Sequence, residues 1–423
     1  MTAVKCLVKL LIMTKKLILQ LVIKLIAVAV GIAVSRWVND YLTLSERSQW
    51  TTMVAITTLA VGMIDLGLSK LIQKYFTNSY QSNKANNYWM TMWIVRLLSL
   101  IVGLPIVIIL GLWLGVKDFG VVIAMFLAQF AMLCDQHFRS ILDSKGQGFW
   151  FSVTDLVAKL TLVAGLFLVF SRIMPSGGLW IYVWSAGIGY WLGVGIDYWL
   201  TRRYVRFGKF ESQIITDNAR QIMFLTVASL VATAYVRTDV IYLKLWGVSD
   251  LELNSYDNAF KLYEVATVAP GVLIPTIASK LKQLIDQATT TIAKRQLIRK
   301  YFGMTMVFGV GCTIAIWVFG SVGLWLVGAS VKYPLSGQYL PIIALSILFL
   351  PMVIMITSLF VFFGKEKQEM QSVIATVVYS VPSYMLLVAN YGGLGASIAN
   401  VSLLLFDMLI KLYFFYKCIW REL

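Results

Sequence analysis

Charged side chains interrupt the long apolar stretches of this sequence, and their chemistry needs an explanation. A charge in apolar surroundings is costly unless it meets a partner, a cavity or a bound ion. The stretches contain seven basic positions, namely Lys24, Arg36, Arg96, Lys159, Arg237, Lys261 and Lys411. They also contain seven acidic positions, namely Asp65, Asp155, Asp197, Asp239, Asp257, Glu264 and Asp407.

Some of these charges can neutralise each other on their own helix. Side chains four residues apart are neighbours on a helix surface. Three acid–base pairs have this spacing, namely Asp155–Lys159, Asp257–Lys261 and Asp407–Lys411. Local neutralisation is the favoured interpretation for these pairs, and a role in a cavity is the alternative.

Four other charges are harder to explain by local neutralisation, and we predict that they line a cavity. These are Arg36, Arg96, Arg237 and Asp239. Arg237 and Asp239 are two residues apart and point to nearly opposite sides of a helix, so they cannot simply cancel. An ion pair between helices is the alternative for all four. Lys24 joins the candidate cavity residues, although its long side chain could also extend to the membrane surface.

One further stretch combines charges with prolines. Asp257, Lys261 and Glu264 have the spacing i, i+4 and i+7, which places them on one polar face, and we add them to the candidate cavity residues. Proline removes a backbone donor and bends a helix. We therefore predict helix bends at Pro270, Pro275 and Pro351, which suit either a moving wall or a static bend.

Catalytic and metal chemistry are not indicated. The sequence contains one histidine, and its four cysteines stand far apart without metal-ligand spacing. It has no phosphate-binding loop with a lysine. We expect no enzyme activity, no metal and no catalytic residues.

Composition indicates the class of protein. The 423 residues are 59% hydrophobic and 13% charged, whereas soluble domains carry about 25% charged residues. In lipid, every backbone polar group must be bonded internally, so only helices or a closed barrel span a membrane. The apolar runs are long and continuous rather than alternating. They predict an all-α polytopic membrane protein.

Hydropathy and aromatic residues at the membrane surfaces predict about twelve transmembrane helices. The predicted spans are 17–38, 49–68, 89–114, 119–137, 151–171, 178–200, 219–243, 256–279, 301–327, 338–363, 371–389 and 394–416. Glycines within 187–195 indicate close helix packing.

Basic residues set the predicted orientation. With the N-terminus inside, only five of the 36 Lys and Arg residues fall in outer loops, among them Arg47 and Lys332. The protein is therefore predicted to lie in the cell (inner, cytoplasmic) membrane, with both termini on the cytoplasmic side. The predicted domains are a basic cytoplasmic segment (1–16), a six-helix lobe (17–200), a basic linker (201–218) and a second six-helix lobe (219–423).

Three stretches resemble a known superfamily. They are MIDLGLSKLIQKYF from Met63, RTDVIYLKLWG from Arg237 and YDNAFKLYEVATVAPGVLIPTIASKL from Tyr256. They are similar to the degenerate motifs of oligosaccharide-lipid (polysaccharide biosynthesis) flippases in the multidrug/oligosaccharidyl-lipid/polysaccharide exporter (MOP) superfamily. Together with the spacing of the spans, the resemblance covers nearly the whole chain.

The resemblance implies two six-helix lobes around a central cavity that opens alternately to each side. It implies a transporter that flips polyprenyl-pyrophosphate-linked oligosaccharide from the inner to the outer leaflet for surface polysaccharide assembly. Arg36 and Arg237 would meet the pyrophosphate, because guanidinium presents several donors to phosphate oxygens. Asp239 could orient an arginine or bind a coupling cation.

The alternatives are a cation-coupled multidrug exporter and a lipid II flippase. The implied partners are the lipid-linked glycan, membrane lipids and a polysaccharide polymerase or other assembly protein; nucleic acid is not expected. No cofactor is expected beyond a coupling proton or sodium ion.

Overall fold

The computed structural model describes residues 22–23, 26–78, 83–116, 118–144, 149–170, 178–236 and 238–422. Two candidate cavity residues, Lys24 and Arg237, lie outside the described residues. Within the described ranges, every regular element is a helix.

The described helices have the following bounds. The elements are α1 (26–41), α2 (Leu44–Ile64), α3 (Leu68–Asn78), α4 (Asn83–Trp113), α5 (Phe119–Ser144), α6 (Phe149–Phe170), α7 (Gly178–Thr201), α8 (Ser212–Val236), α9 (Thr238–Leu245), α10 (Asp250–Gln287), α11 (Thr291–Leu326), α12 (Ala329–Lys332), α13 (Ser336–Phe362) and α14 (Glu366–Phe415), followed by a π-helical turn, Tyr416–Trp420.

Membrane-crossing capacity follows from length and composition. Six helices of the described part of the chain are long and apolar enough to cross a membrane, and they lie within α4, α5, α10, α11, α13 and the stretch Glu366–Trp420. The protein is therefore a multi-pass membrane protein. Twelve spans remain a prediction.

The chain divides into two compact units. The first comprises Met1–Ser35 and Ile56–Thr226, and within its described part α7 packs against α5 and α6. The second comprises Arg36–Ala55 and Val227–Leu423, where α13 packs against α10, α11 and α14. The predicted lobes 17–200 and 219–423 stay predictions, and the second unit includes the earlier segment Arg36–Ala55.

Packing in the second unit depends on α13. Met355, Ile356 and Leu359 of this helix are completely buried in a cluster with side chains of α10, α11 and α14. In lipid, close van der Waals packing and polar contacts hold helices together, because the lipid tails are as apolar as the side chains.

Pro351 lies inside α13, while Pro270 and Pro275 lie inside α10. The predicted bends at these three prolines remain predictions.

The helix α14 is interrupted at Gly392, between the predicted spans 371–389 and 394–416. Gly392 has φ 53° and ψ −129°, which a side chain would disfavour. The Glu252 carboxylate accepts a hydrogen bond of 2.7 Å from the Gly393 N–H. Glu252 thereby satisfies a backbone donor at the start of the second α14 segment.

Close packing of α6 against α7 depends on Gly189. A Cβ at this position would lie 2.6 Å from the Ala158 carbonyl oxygen and 3.0 Å from the Ala158 Cα. Both atoms belong to the backbone of α6, which cannot move aside like a flexible side chain. Gly195 lies on the same helix α7, and a Cβ there would have nothing within 4 Å.

We expect Gly189→Ala to lower the free energy of unfolding by about 1–3 kcal/mol, because overpacking forces backbone shifts. The matched variant Gly195→Ala should be neutral or stabilising by up to about 1 kcal/mol, since alanine favours helix. Thermal unfolding of both variants in the same detergent measures the difference. Equal melting temperatures would contradict the packing role of Gly189.

Candidate functional site

The most densely bonded polar group of the second unit surrounds Arg47. This arginine is completely buried, and its Nη2 donates to Asp257 Oδ2 at 2.6 Å. Its Nε donates to Asn39 Oδ1 at 3.0 Å and its Nη1 to Thr51 Oγ1 at 3.2 Å. Three sides of the guanidinium therefore have partners, as a charge in apolar surroundings requires.

Two asparagines extend this network. Asn39 donates from Nδ2 to Asn258 Oδ1 at 2.8 Å and to the Val327 carbonyl at 2.9 Å. Asn258 donates in turn to the Asn254 carbonyl at 2.8 Å. The network thus connects the end of α1, the start of α2, the first half of α10 and the end of α11.

The Lys332 ammonium binds backbone carbonyl groups at the C-terminal end of α1. It donates to the Leu42 carbonyl at 2.7 Å and to the Asn39 carbonyl. Burial lowers the pKa of Lys332, while Asp40 acts in the opposite direction. The sequence predicted only that Lys332 lies in a loop. In the structure it also caps carbonyl groups at the end of a helix.

Two residues of the predicted polar face of α10, Asp257 and Lys261, belong to this network. Lys261 Nζ lies 3.4 Å from Asp257 Oδ2, so the pair expected at i, i+4 forms, but Asp257 also binds Arg47. Glu264 is half-buried one turn further along. Whether Asp257, Lys261 and Glu264 line a cavity remains a prediction.

Asp239 lies at the start of α9 and is 1% exposed. Its Oδ1 accepts from the Val240 N–H at 2.8 Å, and its Oδ2 accepts from the Tyr256 hydroxyl. Tyr242, on the same helix, stacks on Tyr384 with ring centroids 5.6 Å apart. The carboxylate is therefore buried among aromatic rings and hydrogen-bonded within the second unit.

Arg36 has a different environment. Its side chain is 44% exposed, and its Nε lies 3.7 Å from Asp40 Oδ2, a carboxylate that is itself 57% exposed. The guanidinium also lies over the Trp325 ring, 5.7 Å from the centroid. This loose pairing leaves donors accessible, unlike the enclosed guanidinium of Arg47.

Arg96 belongs to the first unit, where its guanidinium binds residues between α2 and α3. Its Nη1 donates to Asp65 Oδ1 at 2.8 Å and to the Asp65 carbonyl at 3.1 Å, while Nη2 donates to Ser69 Oγ at 3.1 Å. Leu66 and Gly67, between α2 and α3, have φ of 56° and 62°. Arg96 thus holds the break between two helices, which matches the interhelical alternative for this residue.

Sequence reasoning missed Arg47, which it placed in an outer loop. The first turn of α2 explains the error. Thr43 and Glu46 form a capping box, in which the Thr43 N–H donates to Glu46 Oε2 at 2.9 Å and the Glu46 N–H donates to Thr43 Oγ1 at 3.3 Å. This pattern is visible in the sequence and starts the helix at Leu44, five residues before the predicted span. Arg47 then lies inside a helix.

Among the described residues, no group of three His, Cys, Asp or Glu side chains could hold a metal ion.

Comparison with known proteins adds the family. A family model described as polysaccharide biosynthesis protein matches residues 41–281, more than half of the chain. The chain belongs to this family. The resemblance drawn from the sequence motifs is confirmed, and the matched range includes Arg47, Asp239 and Asp257. No curated protein matches the sequence.

Solved structures show which fold this polysaccharide biosynthesis protein shares. An inward-facing multidrug resistance transporter of the MATE family, in the MOP superfamily, has a TM-score of 0.69 at 15% identity, covering 96% of this chain and 97% of its own. The lipid II flippase MurJ in an inward closed conformation has a TM-score of 0.72 at 11% identity, covering 94% and 87%.

A MOP superfamily transporter from Pyrococcus furiosus, described as having a binding pocket of reverse polarity, has a TM-score of 0.68 at 13% identity, covering 97% of this chain and 94% of its own. At these identities the likeness establishes the fold of MOP superfamily transporters for this family member. The neighbours are transporters or flippases rather than enzymes.

We expect Arg47→Gln to lower the free energy of unfolding by about 3–5 kcal/mol, because it removes one partner of a buried ion pair. The double variant Arg47→Gln, Asp257→Asn should cost less than the sum of the two single changes, since the two side chains are in contact. Chemical unfolding in detergent measures the four proteins of this cycle. Arg36→Gln is the control, and a loss in that exposed variant equal to that of Arg47→Gln would contradict the assignment.

Proposed function

We propose that this protein flips a lipid-linked oligosaccharide, carried on polyprenyl pyrophosphate, from the inner to the outer leaflet of the cell membrane for surface polysaccharide assembly. Membership of the polysaccharide biosynthesis protein family carries the proposal, because it links a multi-pass membrane protein with glycan production. A membrane-bound glycan intermediate needs a route across the bilayer, since its sugars cannot cross apolar lipid unaided.

The chemistry of Arg36 supports a phosphate-bearing substrate. Its guanidinium is only loosely paired with the exposed Asp40, so a stronger anion can take over its donors. A phosphate group can accept two parallel hydrogen bonds from one guanidinium, which gives both energy and orientation. Trp325 supports one face of the guanidinium and so restricts its position. Arg237 is the second proposed phosphate ligand.

The proposed transport cycle is alternating access by two six-helix lobes around a central cavity, without a covalent intermediate. It uses twelve spans, with both termini in the cytoplasm. A coupling ion, either a proton or sodium, would supply energy, and a polysaccharide polymerase or another assembly protein would receive the flipped substrate outside. Arg96, Lys24, Asp257, Lys261 and Glu264 are secondary candidates for the cavity.

Two other functions share the same fold. A cation-coupled multidrug exporter and a lipid II flippase are supported by the likeness to the MATE transporter and to MurJ. They differ from the main proposal in cargo. A multidrug exporter would change resistance to cationic compounds and leave glycan unaffected, whereas a lipid II flippase would be required for cell-wall synthesis rather than for surface polysaccharide.

Depletion of the protein should leave polyprenyl-linked glycan accumulated in the inner leaflet. Intact spheroplasts treated with a glycosidase that cannot cross the membrane measure this directly, because only outward-facing glycan is cleaved. Protected glycan supports the proposal. Fully cleaved glycan at normal levels would reject the proposal and favour drug export.

We expect Arg36→Ala to reduce the glycosidase-accessible glycan by about tenfold or more, because a charged hydrogen bond to phosphate contributes about 1.5–3 kcal/mol. Arg36→Lys should restore part of the activity, since it keeps the charge but loses the paired donors. Arg202→Ala is the matched control, as Arg202 is another exposed arginine that lies over a tryptophan, Trp199, at 5.3 Å. Normal glycan exposure in a well-expressed Arg36→Ala variant would contradict the role of Arg36.

A further inference from the structure

A second buried charge group in the second unit links the two segments of α14. Lys411 Nζ lies 3.0 Å from Glu369 Oε1 and 3.1 Å from Asp407 Oδ1. Asp407 and Lys411 are each 1% exposed, and the Glu369 side chain is 12% exposed. The pair expected from sequence between Asp407 and Lys411 therefore forms, but a second carboxylate shares the same ammonium.

A neutral hydroxyl group donates a hydrogen bond to one oxygen of each carboxylate. Thr376 Oγ1 donates to Asp407 Oδ1 at 3.0 Å, and Thr357 Oγ1 donates to Glu369 Oε1 at 3.0 Å. The other carboxylate oxygens, Asp407 Oδ2 and Glu369 Oε2, are buried and have no hydrogen-bond partner among the described residues. Each carboxylate thus has one oxygen bonded and one oxygen left over.

The charges of this group do not balance. Among the described residues, the charged side chains that interact with Asp407 are Lys411 and Glu369, and those that interact with Lys411 are the two carboxylates. Full ionisation would enclose one net negative charge in a stretch apolar enough to span a membrane. Such a charge is costly, and two carboxylates held close together resolve it by sharing one proton.

We propose that Glu369, Asp407 and Lys411 form a proton-binding site within the membrane, in which one carboxyl group carries a proton and the other stays paired with the Lys411 ammonium. The binding step is the addition of a proton from water to a carboxylate oxygen, and no other bond changes. The orphaned oxygens Asp407 Oδ2 and Glu369 Oε2 are the two acceptors. Glu369, the more exposed of the acids, is the point at which a proton enters or leaves.

A metal cation fits this site poorly. The Lys411 ammonium already lies between the two carboxylates, within about 3 Å of both, so a second cation would be repelled at short range in a medium of low dielectric constant. A proton can attach to Asp407 Oδ2 or Glu369 Oε2, which have no hydrogen-bond partner among the described residues, and it needs no further ligands. The geometry therefore favours a proton over sodium.

The test measures protonation rather than transport. The proton site can therefore be rejected without rejecting the proposed function, and the proposed function can be rejected without rejecting the proton site. Infrared difference spectroscopy of the purified full-length protein in lipid nanodiscs detects the carbonyl stretch of a protonated carboxyl group. We expect Glu369→Gln and Asp407→Asn each to lose the signal of one protonated carboxyl at neutral pH, because a single acid then pairs fully with Lys411. Lys411→Met should gain signal, since two acids are left without a cation.

Glu422→Gln is the matched control, because Glu422 forms an exposed pair with Lys365 at 2.9 Å outside this group, and its substitution should leave the carboxyl signal unchanged. Size-exclusion profiles and circular dichroism confirm that each variant is folded. An unchanged carboxyl signal in folded Glu369→Gln and Asp407→Asn would overturn the proposal. A signal that disappears from the wild type when sodium chloride replaces choline chloride would also overturn it, because sodium would then be the bound cation.

Discussion

The enclosed ion pair of Arg47 and Asp257 is the interaction on which the second unit depends. Its 2.6 Å contact is buried, with the Arg47 side chain completely enclosed and the Asp257 side chain 3% exposed, so water cannot replace either partner. The arginine fixes Asn39 through a further hydrogen bond, and Asn39 fixes Asn258 and the end of α11. The positions of α1, α2, α10 and α11 within this unit therefore follow from the need to neutralise one buried guanidinium.

The arginines within apolar stretches fall into two chemical classes. Arg47 and Arg96 are completely buried, and both Nη atoms of each donate hydrogen bonds within the protein. Arg36 is half-exposed and loosely paired, so it retains donors for an external anion. The proposal that Arg36 binds phosphate rests on this contrast rather than on the net charge of +16.

Both described interruptions of helices are held by charged side chains. Arg96 donates to the Asp65 carbonyl at the end of α2, where Leu66 and Gly67 adopt positive φ. Glu252 accepts from the Gly393 N–H, where α14 restarts after Gly392. The signs are those expected, because a helix end presents carbonyl groups and a helix start presents N–H groups. Charged side chains in this protein therefore form hydrogen bonds with backbone groups at helix ends as well as ion pairs with one another.

The sequence by itself determined the helical membrane class and the family. Composition and continuous apolar runs require helices in a membrane, and short-range rules predicted pairs such as Asp257–Lys261 and Asp407–Lys411. Tertiary structure decided which charges are shared. Arg47 pairs with Asp257 across 210 residues, and Glu369 reaches Lys411 across 42 residues. No local pattern specifies such partners, because they depend on how helices pack rather than on spacing along one helix.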